Sequence, residues 1–430
     1  MTDRGSKVPN QRAFIIAGLG FGDETKGSIT DFLTGKYEAH TIIRYNGGAQ
    51  AAHNVVLEDG RHHTFAQFGS GTFHRWARTH LSQFMVVNPY TMIAEEKALR
   101  SLGVRDAFDR TTIDRRAVVV TPYHRIANRL LELSRGSGRY GSCGMGIGQA
   151  IQDYKDFGEN ILLVGDLFYP DRVRQKLQFI KSVKQALVGG IMDKLPGTEI
   201  VRENLDYLND APLINACVEF YGQFSRSVRI VNEEYIKKIL NQAGTVIFEG
   251  AQGVLLDPKY GFRPYVTKTN TTFVNALEIL EEGEYSGQVK KLGVLRGYAT
   301  RHGCGPFTTE DAELTRLLPE LHNAHGQWQG AFRIGYFDVC ASRYAIEVAG
   351  PVDSLAISCT DRLIGLEPLN ICTDYQSVGH KPLYTKLNPI RSEADCFEYA
   401  RTLQSYLKIP LSIISLGPTA KDKQILKPLV

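Results

Sequence analysis

Asp23, Glu24 and Lys26 stand within four residues of one another, directly after an apolar run, Phe14–Ala17, that breaks into glycines at 18, 20 and 22. A buried strand that turns through glycines into a helix presents backbone N–H groups at the positive helix end, a seat for phosphate. A carboxylate held there can act as a base, and a lysine beside it can spread the charge of a transferring phosphoryl group. The spacing is not that of a Walker A loop, because Thr25 stands where the second glycine before the lysine belongs. The glycines also miss GxGxxG, and on its own the segment leaves a glycine turn with solvated charges as the lesser alternative. His53, after Gly47-Gly48, is a candidate acid; alone it is a histidine in a polar turn.

These residues need a scaffold, and the chain supplies an alternating one. Strand-length apolar runs lie at Phe14–Ala17, Thr41–Tyr45, Ala117–Thr121, Asn160–Val164, Thr245–Phe248, Lys291–Leu295, Ser354–Ser358 and Ile409–Ile414. Helical periodicity marks Arg125–Leu133, Val173–Leu187, Glu234–Ala243, Thr309–Leu321, Val339–Val348 and Ala394–Leu407. Such alternation predicts an α/β fold, a mostly parallel sheet with helices on both faces and ligands at the carboxyl ends of the strands. Gly18–Lys26 and Glu249–Gly253 both follow strand candidates, so both arrive on one rim. With no repeat, low-complexity tract or linker, residues 1–430 read as one domain with long excursions, and Arg135–Gly148, rich in glycine and serine, reads as a loop.

Composition fits a soluble enzyme: 43% hydrophobic and 22% charged residues suffice for a large core. A formal net charge of +4 is too mild to imply a nucleic-acid partner, and no apolar stretch or leader after Met1 suggests a membrane span or signal peptide. Seven scattered cysteines without a CxxC pair read as reduced thiols, which together predicts a cytoplasmic protein. His302-Gly303-Cys304 lacks the further ligands zinc needs, and His62-His63 reads as a solvated hairpin turn.

Gly22-Asp23-Glu24-x-Lys26-Gly27, then Arg44-Tyr45-Asn46-Gly47-Gly48 with His53, then Phe248-Glu249-Gly250-Ala251-Gln252-Gly253 resemble adenylosuccinate synthetase. Pro264–Thr267 with Asn270–Thr272, Tyr298–Arg301 with Gly303–Phe307, and Ile414–Pro418 continue the resemblance in the family's order over nearly the whole chain. It implies a P-loop-NTPase-like core, Mg²⁺, and GTP (or ATP) as phosphoryl donor. The reaction implied is a ligation in which the purine 6-oxo group is phosphorylated and then displaced by the amine of L-aspartate. It also implies a homodimer. Asp23 matches the family's base and magnesium ligand, with the Ala52 carbonyl as a second metal contact; His53 matches the acid and Lys26 the phosphate-loop lysine. Gly22, Glu24, Thr25 and Gly27 then surround the donor phosphates. Asp361 matches the reader of guanine, under a loop of Ser415, Gly417 and Pro418. Gln252 matches the position near the 6-oxygen, Thr267 the 5′-phosphate contact, and Gln50, Cys143, Arg301 and Arg333 fall at further substrate positions.

Departures cluster on the substrate side. Gln50 and Ala52 replace an asparagine and a glycine, Thr25 and Ser28 a glycine and usually a lysine, and Cys359 a lysine beside the guanine pocket. Cys143 stands for a phosphate-binding threonine and Met145 for an arginine, and the arginine expected near Glu159 to cross a dimer is missing. The aspartate loop reads Gly326-Gln327-Trp328-Gln329-Gly330-Ala331-Phe332-Arg333, with one arginine where two carboxylates call for several guanidiniums. The carboxylates would then be met elsewhere, for instance by Arg301 or Arg263, or the amine is not aspartate. Three functions stay open: the IMP and aspartate ligase; a diverged ligase using another purine, such as dGMP or a nucleoside, or another amine; and a catalytically silent nucleotide-binding protein.

Overall fold

In a computed structural model, which describes residues 11–320, 326 and 328–429, ten strands among the described residues form one sheet. Across it the order is Lys423–Ile425, Leu411–Ser415, Ser354–Ser358, Gln288–Arg296, Gln11–Gly18, Gly244–Gly253, Thr41–Arg44, Arg78–Leu81, Thr111–Asp114 and Arg229–Val231. All neighbours are parallel except Lys423–Ile425, which runs antiparallel to Leu411–Ser415. The α/β class and the parallel sheet expected from the alternation are therefore present.

The central strand shows why its sequence is apolar throughout. Ala13, Ile15 and Ala17 enter the buried cluster on one face, while Phe14 and Ile16 enter that on the other. Side chains alternate between faces, so a strand covered on both sides has no solvent-facing position. Helix Lys26–Lys36 covers one face through Ile29 and Leu33; helices Val274–Glu282 and Glu393–Leu407 cover the other. Helices Pro89–Ser101, Pro122–Ser134, Pro170–Gly189 and Pro212–Ser227 gather around a further buried cluster. None of the helices among the described residues is long and apolar enough to cross a membrane.

Three expectations need correction. Asn160–Val164 is not a strand: it passes through short 3₁₀ turns at Gly158–Asn160 and Val164–Phe168, with a single bridge from Leu163 to Val118. Asp166 accepts the Leu163 N–H at 2.8 Å and closes the turn, and a short apolar run does not distinguish the two outcomes. Of Ala117–Thr121 only Val118–Val119 is extended. His62 and His63 belong to the second strand of a hairpin, His53–Val56 with His62–Phe65, and His63 is buried against the Phe65 ring rather than solvated. The end of the expected helix Thr309–Leu321 and Gln327 of the altered loop lie outside the described residues; Ala312–Leu317 is the helical part observed.

Candidate active site

The strands deliver their loops to one rim. Gly18 leads into the phosphate loop, Arg44 into Asn46-Gly47, Glu249–Gly253 ends its own strand, and Ser358 and Ser415 lead to Asp361 and Pro418. In the phosphate loop Lys26 is buried, and its Nζ donates to the Gly22 carbonyl at 2.8 Å and to Glu24 Oε2 at 3.0 Å. Glu24 Oε1 accepts the Gly22 N–H at 2.6 Å. The Glu24 carboxylate thus lies inside the loop, so close that a Cβ at Gly18 would stand 2.0 Å from Oε2. Thr25 caps helix Lys26–Lys36 with φ 66°, a left-handed conformation that suits the glycine it replaces. Gly27 lets the helix approach His53, since a Cβ there would stand 2.5 Å from the His53 Cβ.

Asp23 has no side-chain hydrogen bond within the described residues. Its carbonyl accepts the Nε–H of buried Arg296, which also donates to Glu320. Burial raises the affinity of the Asp23 carboxyl for its proton, Arg296 opposes this, and Glu24 adds to it. An unpaired carboxylate beside a phosphate loop also fits magnesium, which is held by one or two carboxylates plus the oxygens of a bound phosphate. Ala52 is exposed just ahead of His53. No cluster of three metal-ligating side chains occurs among the described residues.

His53 is fixed by a residue whose role sequence reading missed. Its Nδ1 lies 2.6 Å from Glu249 Oε1, and Glu249 also accepts the Ser70 N–H at 3.0 Å and the Ser70 hydroxyl. Glu249 is fully buried, with Arg44 Nε at 3.9 Å. Burial pushes the Glu249 carboxyl up, but Arg44 and His53 outweigh it and hold it below its usual range. Burial pushes His53 down to about 4 even though Glu249 pulls it up. The ring is therefore neutral at neutral pH, with Nδ1–H donated to Glu249 and Nε2 facing away from it. The signal was present in the sequence: Glu249 opens the same Glu-Gly-Ala-Gln-Gly segment that supplies Gln252.

Where the resemblance expects the purine, Gln252 Oε1 accepts from Thr269 Oγ1 at 3.2 Å, and Thr269 Oγ1 lies 3.3 Å from Thr267 Oγ1. Asn46 fastens this wall by donating to the Ala251 and Asn270 carbonyls and accepting the Ala251 N–H. Gln50 Oε1 is buried without a partner. Cys143 is half-buried, and burial raises its pKa, so it remains a neutral thiol.

Where the resemblance expects the donor base, Asp361 Oδ1 and Thr360 Oγ1 are likewise buried without a partner. Burial raises the Asp361 carboxyl pKa. Ser415 Oγ donates to the Gly417 carbonyl at 3.0 Å. The Pro418 carbonyl accepts from Ser28 Oγ at 3.3 Å, tying the base loop to the phosphate helix. Lys423 holds the same loop by donating to the Thr419 carbonyl at 2.7 Å.

The arginines expected to meet the amine substrate are engaged within the protein. Arg301 is fully buried, donates to the carbonyls of Cys304 and Pro306 at 3.0 and 2.8 Å and lies 4.2 Å over the Phe21 ring. Arg333 donates to the Gly303 and Gly305 carbonyls and pairs with Glu310 at 2.6 Å. Arg263 donates to the Pro258 carbonyl. The loop itself folds back on itself, Gly326 and Gly330 exchanging backbone hydrogen bonds with Trp328 between them.

The adenylosuccinate synthetase family model matches residues 15–394. This chain belongs to the adenylosuccinate synthetase family. The adenylosuccinate synthetase of Trichodesmium erythraeum (strain IMS101) is 32% identical over 434 residues, covering 94% of this chain and 94% of that protein. That of Chlorobium chlorochromatii (strain CaD3) is 30% identical over 459 residues, covering 99% and 100%. Adenylosuccinate synthetases are GTP-dependent ligases that form a C–N bond in purine biosynthesis. Two solved structures share the fold. Fully ligated adenylosuccinate synthetase from Plasmodium falciparum superposes with a TM-score of 0.80 at 21% identity, covering 96% of this chain and 99% of that one. Succinoaminodeoxyadenylate synthetase of cyanophage S-2L, bound to dGMP and to dATP as an energy donor, superposes with a TM-score of 0.62 at 16% identity, covering 98% and 97%.

Proposed function

We propose that the protein uses GTP and Mg²⁺ to phosphorylate the 6-oxo group of IMP and couples L-aspartate at C6, giving N6-succinyl-AMP, GDP and phosphate. The observation that carries this reading is the packing of His53, oriented by buried Glu249, against Gly27 of the phosphate loop that also holds Asp23 and Lys26.

Oxide is a hopeless leaving group, so the 6-oxygen must first become a phosphate ester. Asp23 takes the N1 proton, and the resulting 6-oxyanion forms a bond to the γ-phosphorus as the bond to GDP breaks. Lys26 spreads the developing charge, in a reaction whose acceleration is mostly positioning and electrostatics. Magnesium, when bound, supplies further charge neutralisation at the phosphates, with Asp23 as its ligand. The dianion formed beside His53 raises the proton affinity of the ring. At Nε2 the ring takes a proton from the aspartate ammonium, and as the freed amine adds to C6 the ring passes that proton to the departing phosphate. Proton transfer of this kind contributes about 10²- to 10⁴-fold. Gln252 sits near the 6-oxygen and Thr267 near the 5′-phosphate. The orphaned Asp361 Oδ1 suits the N–H groups of guanine, which supports GTP as donor. A homodimer is part of the proposal, on family grounds alone.

A second reading, a ligase for another purine or amine, is favoured by the 326–333 loop and by Cys143 and Met145. Incubation with GTP, Mg²⁺ and L-aspartate plus IMP, dGMP or inosine in turn, followed by mass spectrometry, separates the two. A succinyl adduct with IMP supports the first reading, an adduct only with another purine replaces it, and absence of both adduct and phosphate release sinks the ligase proposal.

A further inference from the structure

A cavity of about 270 Å³ opens between the start of helix Pro89–Ser101, helix Pro122–Ser134, Met145 and helix Glu199–Asn209. Two guanidiniums, Arg125 and Arg129, line it one helical turn apart. Arg129 donates to the Gly144 carbonyl at 3.3 Å and lies over the Trp328 ring at 5.2 Å. The side chain of Arg125, on an exposed residue, has neither a hydrogen bond nor an ion pair among the described residues. Neither arginine is paired with a carboxylate; Glu203, the one acid in the cavity wall, is not within ion-pair distance of them. Burial, and then the like charge of Arg125, lowers the Arg129 pKa. Two unneutralised guanidiniums facing a cavity are a mutual repulsion that a bound dianion relieves, and their forked donors match carboxylates bidentately.

The altered amine loop touches this pair. Trp328 of the Gly326–Gly330 turn contacts Arg129 on one side and Gly144 on another, where a Cβ would stand 2.7 Å from the indole Cγ. The next residue after Gly144, Met145, lines the cavity. Meanwhile Arg301, Arg333 and Arg263 are held by backbone carbonyls of the protein itself.

We propose that Arg125 and Arg129 bind the carboxylates of a dicarboxylic amine co-substrate, so that guanidiniums missing from the loop are supplied by the helix on which the loop packs. This deepens the ligase reading and rests on it for the reaction, though not for the binding. L-aspartate, succinate and inorganic phosphate are titrated calorimetrically into the full-length wild type, Arg125→Gln, Arg129→Gln and Arg129→Lys. In a Trp76→Phe background, Trp328 is the only tryptophan, and its emission reports the same site.

The expected result is saturable binding of aspartate and succinate, weakened at least tenfold in each glutamine variant and partly restored in Arg129→Lys. The KM for aspartate should rise by a similar factor, with kcat and the KM for GTP unchanged. Undiminished dicarboxylate binding in glutamine variants that melt like wild type overturns the proposal, as does arginine-dependent binding of phosphate but not succinate. Arginine-dependent succinate binding with neither succinyl nucleotide product nor phosphate release would sink the ligase reading and leave this site standing. Succinyl product with an unchanged aspartate KM in the variants would do the reverse.

Discussion

On the donor side of the rim, groups that would meet a nucleotide are already held in place: Lys26 by the Gly22 carbonyl, His53 by Glu249, and the base loop by Ser28 and Lys423. On the amine side, the arginines nearest the altered loop are spent on main-chain carbonyls, and the unneutralised guanidiniums lie across the loop on a helix. The two sides differ in what a substitution can disturb. On the proposed reading, donor-side residues act through preorganised charge near the reacting atoms, so their removal should appear in turnover. Amine-side residues select a partner, so theirs should appear in KM.

The sharpest way to break this contrast is Asp23→Asn, which removes the proposed base without changing shape. Turnover should fall by about 10³-fold, within the usual range for a general base, while GTP affinity falls by a smaller factor through the lost magnesium contact. Equal losses of both in steady-state kinetics and nucleotide titration would show that Asp23 is only a binding group. Next in size is Glu249→Gln, which lets His53 rotate and leaves Arg44 as an unpaired buried charge. We expect about 10²-fold lower kcat, together with a loss of stability approaching 3 kcal/mol in urea unfolding, the scale for breaking a buried pair. Preserved kcat would mean that Glu249 serves the fold alone.

Asp361→Asn replaces an acceptor oxygen by an amide and should reduce preference for GTP over ATP by about tenfold, the worth of one charged hydrogen bond. The comparison is made as a ratio of kcat/KM values, and an unchanged ratio would remove Asp361 from donor selection.

Acid should act on stability through buried histidines. Burial holds His40, His53 and His80 at about 4 in the folded chain, below the ordinary 6.5. Their folded values are depressed, so the stabilisation is fully present above pH 6.5 and is lost as pH falls toward 4, by up to roughly 3 kcal/mol per group. Urea midpoints measured between pH 7 and 4 check this, and a flat profile would contradict it. The smallest effect belongs to Thr25→Gly, which relieves a left-handed β-branched residue and should stabilise by about 0.5–1 kcal/mol, less the added freedom of the unfolded chain. A destabilised variant would show that the Thr25 hydroxyl, bonded to the Glu24 carbonyl at 2.6 Å, matters more than its backbone.

Which parts could be read from sequence follows from physics of similar kind. The central strands were legible because burial on both faces forces apolar runs at Phe14–Ala17, Thr245–Phe248 and Ser354–Ser358. The outlying strands Arg78–Leu81 and Thr111–Asp114 were not, since arginine, histidine, threonine and aspartate break the pattern. Helix Pro89–Ser101 was not read from the sequence; its start is fixed by Asn88, whose side chain accepts the Tyr90 N–H at 3.1 Å, rather than by a clear periodicity. In the site, Asp23, Lys26 and His53 stood out by type and spacing. Glu249 lies within a motif that did stand out, Glu249–Gly253, but its role did not, because the histidine it orients is 196 residues away in sequence. The Arg125–Arg129 pair was invisible for the same reason: what matters is that neither finds a carboxylate, which only the packing of distant helices decides.

Because the carboxylate of Glu24 already fills the phosphate loop, a nucleoside triphosphate does not enter a vacant cradle. It would meet an incumbent of like sign. If that carboxylate gives way, the local charge changes less than the triphosphate alone would bring, and added salt should weaken donor binding only shallowly.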